Sequence, residues 1–284
     1  MKKLVWFITG ASRGFGLELA RAALERGDAV VAAARNPQAV VQALGEPERL
    51  LPVALDVTNE AEAHAAVTAA LARFGKIDVL VNNAGRGLLG AIEETATEEL
   101  RSVFAVNVEG LLTVTRAVLP SMREHRSGRI VNISSVGGFA SSAGWGVYCA
   151  TKFAVEGLSE ALHAELLPLG IRVVVVEPGV FRTDFLDNSS LGHTARRIDD
   201  YAATAGATRE WASSSNHAQA GDPAKAAAAI VDVATSPEPP LRLQLGADCV
   251  ARVEAKLAHV ASELEAWRPL SLSTAYDDRA GDAA

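Results

Sequence analysis

Seven short runs rich in Val, Leu, Ile and Ala recur along the chain at 4–9, 29–34, 50–55, 78–81, 129–133, 171–177 and 241–245. Most of them lack the period-two alternation of a strand with one wet face, so they read as strands buried on both faces. Helical stretches fill the intervals at 14–26, 60–74, 98–124, 147–167 and 223–235. Strand and helix in alternation require right-handed βαβ crossovers, so the predicted fold is α/β, a doubly wound seven-stranded parallel sheet flanked by helices. A length of 284 residues, 49% hydrophobic and only 5% aromatic, suits one such domain spanning 1–284.

The alternation breaks between about 180 and 220, where SSLGHTARR and WASSSNHAQAG carry no strand signal. A polar segment of this length that starts directly after a strand end is expected to be a lid over a ligand site. Residues 247–267 read as an extra C-terminal helix, and DDRAGDAA at 277–284 as a frayed tail.

The net charge of −7 and the absence of a basic stripe interleaved with aromatics argue against a nucleic-acid surface. The opening MKKLVWFITG runs into a glycine-rich turn and not a cleavage site, so it reads as a first strand. No apolar run approaches the ~18 residues of a membrane span. Cys149 and Cys249 have no metal-ligand spacing, which fits a reduced, cytoplasmic setting in which Cys149 is a small buried hydrophobe. The six histidines are scattered, and no metal is expected.

The first strand ends in TGASRGFG, with Gly10, Gly14 and Gly16 ahead of a helical run. Glycines let backbone approach a pyrophosphate, and the helix N-terminus offers unpaired N–H groups, so a dinucleotide site is expected at the turn that holds Gly10, Gly14 and Gly16. At the end of the second strand, where folds that prefer NAD place a ribose-binding acid, stand Ala34 and Arg35. Arg35 and Arg13 would attract a 2′-phosphate that a carboxylate would repel, which predicts NADP(H) over NAD(H). An arginine in that place is equally compatible with a solvated loop charge. Asp56 and Val57 close the third strand, where a carboxylate can accept from an adenine amino group. Asn83, Ala84 and Gly85 close the fourth, although Asn-Ala-Gly is also a turn sequence.

Tyr148 and Lys152 stand at i and i+4 of a predicted helix and so share a face. A phenol titrates near about 10, and a neighbouring ammonium is expected to lower that value toward the range of a working acid/base. The fifth strand ends in NISS, which brings Ser134 or Ser135 to the same sheet edge. Alone, a Tyr–Lys pair is a common structural contact.

TGASRGFG, NNAG, NISS, YCATK and the EPG at 177–179 occur in this order at successive strand ends. Over residues 4–250 the chain thereby resembles the short-chain dehydrogenase/reductase family, a Rossmann-type fold. The resemblance implies that Tyr148 is the catalytic acid/base, Lys152 its electrostatic partner and a ribose contact, and Ser135, thirteen residues before Tyr148, the group that orients a carbonyl. It further implies that Asn107 supports a proton relay, that Ser12, Arg13 and Phe15 join the glycines in the phosphate turn, that Asp56 and Val57 contact adenine, and that Asn83, Pro178, Gly179 and Thr183 join the cofactor site. The implied reaction is hydride transfer between a nicotinamide and a carbonyl or alcohol carbon. Trp145, Phe139 and Phe185, with Phe181 and Leu186, suggest a largely apolar substrate pocket. The start also looks like bacterial ketone reductases and hydroxysteroid and retinol dehydrogenases, which implies a hydrophobic substrate. Epimerisation or dehydration on the same scaffold, or a non-catalytic NADP sensor, are the alternatives. Family members associate through the two long helices, implying a homodimer or homotetramer.

Overall fold

The computed structural model describes residues 3–276, so the expected tail at 277–284 lies outside the described residues. The elements are, in order, β1 (Val5–Thr9), α1 (Gly14–Glu25), β2 (Ala29–Ala34), α2 (Pro37–Leu44), β3 (Leu50–Ala54), α3 (Glu60–Phe74), β4 (Val79–Asn82) and β5 (Gly87–Leu89). There follow α4 (Thr97–Phe104), α5 (Gly110–Glu124), β6 (Gly128–Ile133), α6 (Gly146–Leu166), β7 (Ile171–Pro178) and β8 (Leu191–His193). The last are α7 (Ala207–Ser215), α8 (Pro223–Thr235), β9 (Arg242–Leu245) and α9 (Ala247–Leu272).

Seven strands form one sheet in the order β3-β2-β1-β4-β6-β7-β9, and every pairing in it is parallel. All seven predicted strands are present. The physical reason for their unbroken apolar sequences is visible in β1, where Val5 and Phe7 enter one core and Trp6 and Ile8 the opposite one. The first core is closed by α3 and α5 through Val67, Val114, Val118 and Met122, the second by α1 and α8 through Leu19, Ile230 and Val231. Pro52 sits in β3, an edge strand, where a missing N–H is tolerated. The strand order reverses between β1 and β4, and in open parallel sheets the crevice at such a switch point receives the ligand.

Four expectations change. First, α2 was not foreseen; Asn36 caps it by accepting from the Gln38 N–H at 3.1 Å, and Pro37 opens it. Second, the predicted 98–124 helix is α4 and α5 separated by a π-turn over Ala105–Glu109. Thr97–Glu124 has the length and composition of a crossing segment, but Val114, Val118 and Met122 are fully buried, as in a core helix. Third, 180–220 is not strandless: β8 pairs in parallel with β5, and α7 follows. Fourth, α9 continues to Leu272, one turn past the predicted end.

Candidate active site

A cavity of about 1250 Å³ runs along the C-terminal ends of the central strands. Pockets for one small ligand occupy about 300–1,000 Å³, so this one has room for a dinucleotide and a substrate together.

At its floor the glycine turn is clamped to the end of β4. Gly10 has φ +65°, and a Cβ there would lie 3.0 Å from Asn83 Nδ2 and 3.1 Å from Ala84 Cα. A Cβ on Gly16 would overlap the Gly10 carbonyl oxygen, so the helix can begin this close to the turn only with glycine. Thr9 Oγ1 accepts from the N–H groups of Asn83 and Ala84, both at 3.0 Å. Asn83 Nδ2 donates to Thr9 O at 2.8 Å and to Gly10 O at 3.2 Å. The side-chain amide of Asn83 thus fixes the turn, and the residue also lines the cavity. No side chain caps the first N–H groups of α1. An uncapped helix start behind a glycine cradle fits a pyrophosphate.

The ribose end separates the two arginines. Arg35 lines the cavity exposed and, among the described residues, has neither hydrogen bond nor ion pair. Arg13 is committed elsewhere, donating to Ser189 Oγ at 2.7 Å, Ser190 Oγ at 2.8 Å and Ser189 O at 3.1 Å. Arg13 also lines the cavity, and through these bonds it ties the glycine turn to the 180–220 segment. Asp56 accepts from Thr58 N at 3.0 Å and Thr58 Oγ1 at 2.7 Å, bonds that with nearby Arg35 hold its carboxyl below the usual range. Val57, Ala84, Pro178, Gly179 and Thr183 also line the cavity.

Deeper in, α6 presents Tyr148 and Lys152, both buried. Trp145 and Phe185 enclose the phenol, with ring centroids 5.5 and 5.4 Å away. A Cβ on Gly137 would lie 3.4 Å from Ser135 Oγ and 3.7 Å from Tyr148 Cε1, so serine and tyrosine border the same small space. Ser134 also lines the cavity. The expected lowering of the phenol by Lys152 is absent. Burial pushes Tyr148 well above its ordinary pKa, Ser135 pulls it back in part, and the neighbouring Cys149 adds to the rise. Lys152 Nζ donates to Ile133 O at 2.8 Å and lies over the tyrosine ring, 5.8 Å from its centroid, while burial dominates the phenol. Burial lowers Lys152 itself to about 8, against the pull of Glu156.

Asn107 lies in the π-turn, a local widening often found at functional sites. It does not line the cavity but is held behind it, accepting from Arg86 N at 2.9 Å and donating to Arg86 O at 2.9 Å and Thr151 Oγ1 at 3.0 Å. Phe139 is a plain correction: it packs against Val136, Cys249 and Val253, away from the pocket. Sequence reasoning missed Thr151, whose hydroxyl joins Asn107 to the Tyr148 carbonyl at 2.7 Å. It missed Asp248, which accepts from Val180 N at 2.9 Å, and Arg252, which donates to Ala140 O at 2.6 Å, so α9 supplies cavity wall. The position of Asp248 just past a strand end was the one available signal.

Behind Lys152 lies a second unforeseen cluster. Glu177, fully buried, is 3.4 Å from Arg242 Nε, which also pairs with Glu156 at 3.2 Å. Burial, then the Glu156 charge, pushes Glu177 up to about 7, while Gln244 and Arg242 oppose the rise. Because the folded value exceeds the ordinary 4.5, the site is unpenalised below that pH and destabilises the fold as pH rises through 7. Glu177→Gln is therefore expected to raise Tm at pH 8 by about 2–4 °C and leave it unchanged at pH 5. A loss of stability at pH 8 would show that the charge is needed.

Residues 4–193 match the family model described as short chain dehydrogenase. Oxidoreductase BOA17 of Botryotinia fuckeliana is 38% identical over 273 residues, 95% of this chain and 99% of that protein. The 3-ketodihydrosphingosine reductase of Bacteroides thetaiotaomicron is 38% identical over 247 residues, 87% of this chain and 89% of that protein. Among solved structures, a short-chain dehydrogenase from Streptomyces avermitilis superposes with a TM-score of 0.89 at 45% identity, covering 97% of this chain and 100% of its own. A 3-ketoacyl-(acyl-carrier-protein) reductase from Brucella melitensis complexed with NADH scores 0.72 at 30% identity, covering 85% of this chain and 96% of its own. A serine dehydrogenase complexed with NADP+ scores 0.72 at 30%, covering 85% and 94%. With the glycine cradle, the Ser135–Tyr148–Lys152 grouping and this breadth of match, the chain belongs to the short-chain dehydrogenase/reductase family of oxidoreductases.

Proposed function

We propose that the protein transfers a hydride between NADP(H), preferred over NAD(H), and the carbonyl or secondary-alcohol carbon of a small hydrophobic substrate. The observation that carries this reading is Tyr148, buried between Trp145 and Phe185 at the inner end of a cavity whose outer end holds the unpaired Arg35. The nicotinamide supplies or accepts the hydride. The chain does the rest. Ser135 and Tyr148 bind the substrate oxygen, and Tyr148 donates its phenolic proton to that oxygen as a carbonyl is reduced, or takes it back in the reverse direction. Burial raises the Tyr148 pKa, so the group that meets the substrate oxygen at neutral pH is the protonated phenol. Lys152 holds the ribose, and Asn107 with Thr151 fixes the helix turn that carries both groups. The aromatic walls exclude water and prefer an apolar substrate, in keeping with relatives named as reductases of keto compounds.

Residues 180–220 are the lid of this site within one catalytic domain, and the protein is cytoplasmic. NADPH and NADH oxidation against a panel of aliphatic and aromatic ketones and aldehydes tests the assignment. No turnover with any carbonyl would overturn the reductase reading; faster turnover with NADH would overturn the cofactor half of it.

Arg35→Asp probes the phosphate argument directly. A charge-assisted hydrogen bond contributes about 1.5–3 kcal/mol, so the NADPH/NADH ratio of kcat/KM is expected to fall about 100-fold. An unchanged ratio means that the 2′-phosphate is bound elsewhere.

A further inference from the structure

From Glu254 onward every residue of α9 is exposed, and among the described residues nothing packs on its last five turns or so. In folded proteins most helical stability comes from packing of an apolar face, and this stretch has no such packing among the described residues. Its apolar residues are not scattered. Val250, Val253, Leu257, Val260, Leu264 and Trp267 repeat at intervals of three and four, the narrow seam of a two-helix coil rather than the broad face of a globular helix. Leu257, Val260, Leu264 and Trp267 are 55%, 45%, 55% and 63% exposed.

We propose that this seam is an interface for a second copy of the chain, with two α9 helices packed antiparallel. Two observations select that occupant. At Val253 the seam turns onto Val136 and Phe139 of its own body, so a parallel partner would drive its body into that space. An antiparallel partner centred near residue 262 avoids the bodies and uses only exposed positions, pairing Leu257 with Trp267 and Val260 with Leu264 of the other copy. That register also sets Glu254 against Arg268 of the other copy on both sides, oppositely charged, at the cost of Glu263 meeting its own counterpart at the centre. Arg268 otherwise pairs only locally, 2.9 Å from Glu265. The polar face opposes the alternative of an anionic membrane: Glu254, Lys256, Glu263, Glu265 and Arg268 sum to a negative charge, whereas surface-bound helices are rich in Lys and Arg.

Sedimentation velocity on the full chain at micromolar concentration decides the matter. Leu257→Asp/Leu264→Asp, at positions with no part in the cavity, is expected to halve the wild-type mass while leaving NADPH turnover unchanged. Equal masses for wild type and double variant overturn the interface, whatever other contact joins the subunits. Glu263→Gln relieves the central repulsion and is expected to tighten association about threefold, and Arg268→Glu to loosen it about tenfold. A weaker Glu263→Gln overturns the antiparallel pairing. Wild type that floats with phosphatidylglycerol vesicles yet sediments at the double variant's mass assigns the seam to a membrane instead.

Discussion

Tyr148→Phe is expected to lower kcat for carbonyl reduction by about 10²–10⁴-fold while NADPH binding, read by fluorescence titration, stays unchanged. The substitution removes one oxygen and keeps the ring. Packing against Trp145 and Phe185 depends on the ring, so the aromatic enclosure survives. What is lost is the proton donor. In the reducing direction a hydride arriving at carbon leaves negative charge on the oxygen, and Tyr148 is the group placed to protonate it. Ser135 Oγ accepts from Gly137 N at 3.0 Å and keeps its O–H free to hydrogen-bond that oxygen, but an aliphatic hydroxyl is a far weaker acid than a phenol and does not replace the lost proton. Retention of more than a tenth of wild-type turnover would mean that the proton comes from another group.

The direction of the tyrosine shift sharpens the chemistry. Lys152 Nζ lies over the phenol ring, and its charge does not offset the effect of burial on the hydroxyl. With Lys152 Nζ on the Ile133 carbonyl and desolvation dominating, the phenol is an acid held ready. Lys152, near 8, is itself close to losing its proton, so the charge at this site is set by burial more than by sequence neighbours.

That distinction explains what was legible from residues alone. The seven strands could be read because both faces of each are buried, which leaves an unbroken apolar signature. The glycine turn, Ser135, Tyr148 and Lys152 could be read because their spacing is local and the fold delivers successive strand ends to one edge. Side-chain direction was not legible. Arg13 and Arg35 look equivalent in the sequence, yet one is consumed by Ser189 and Ser190. Phe139 looks like pocket lining, yet α9, more than a hundred positions away, draws it into its own cluster. The segment 180–220 looked unstructured because its order comes from partners on a distant element, not from any periodicity of its own. Glu93, Glu94 and Glu99 lie near α4, and each reaches into it: to Tyr201 Oη at 2.7 Å, to Ile198 N at 2.8 Å and to Ala195 N at 2.9 Å.

Of these three, Glu94 is the one whose removal should be felt most. Its carboxylate is fully buried, accepts from Ala91 N and Ile198 N, each at 2.8 Å, and pairs with Arg209 of α7. Burial alone would raise its pKa; the two N–H groups and the guanidinium outweigh burial and hold it at about 2. Glu94→Ala strands a largely buried guanidinium that keeps only Thr194 Oγ1, at 3.0 Å, and should cost about 3–5 kcal/mol, lowering Tm by about 10 °C. The same group sets an acid limit. With the folded value below the ordinary 4.5, its stabilisation is complete above that pH and disappears as pH falls toward 2. Wild type should therefore lose stability across that window, and Glu94→Ala should lose less over it. Because 180–220 is tied at one end to Glu94 and at the other to Arg13, freeing the first tie should open the segment before the sheet melts. Limited proteolysis at neutral pH is then expected to cut the variant within 180–220 and spare the wild type. Equal cleavage of both, or a stability change under about 1 kcal/mol, would mean that the segment is held by the packing of its Leu186, Leu191 and Ala212 on Leu89 and Trp145 and not by the buried charge.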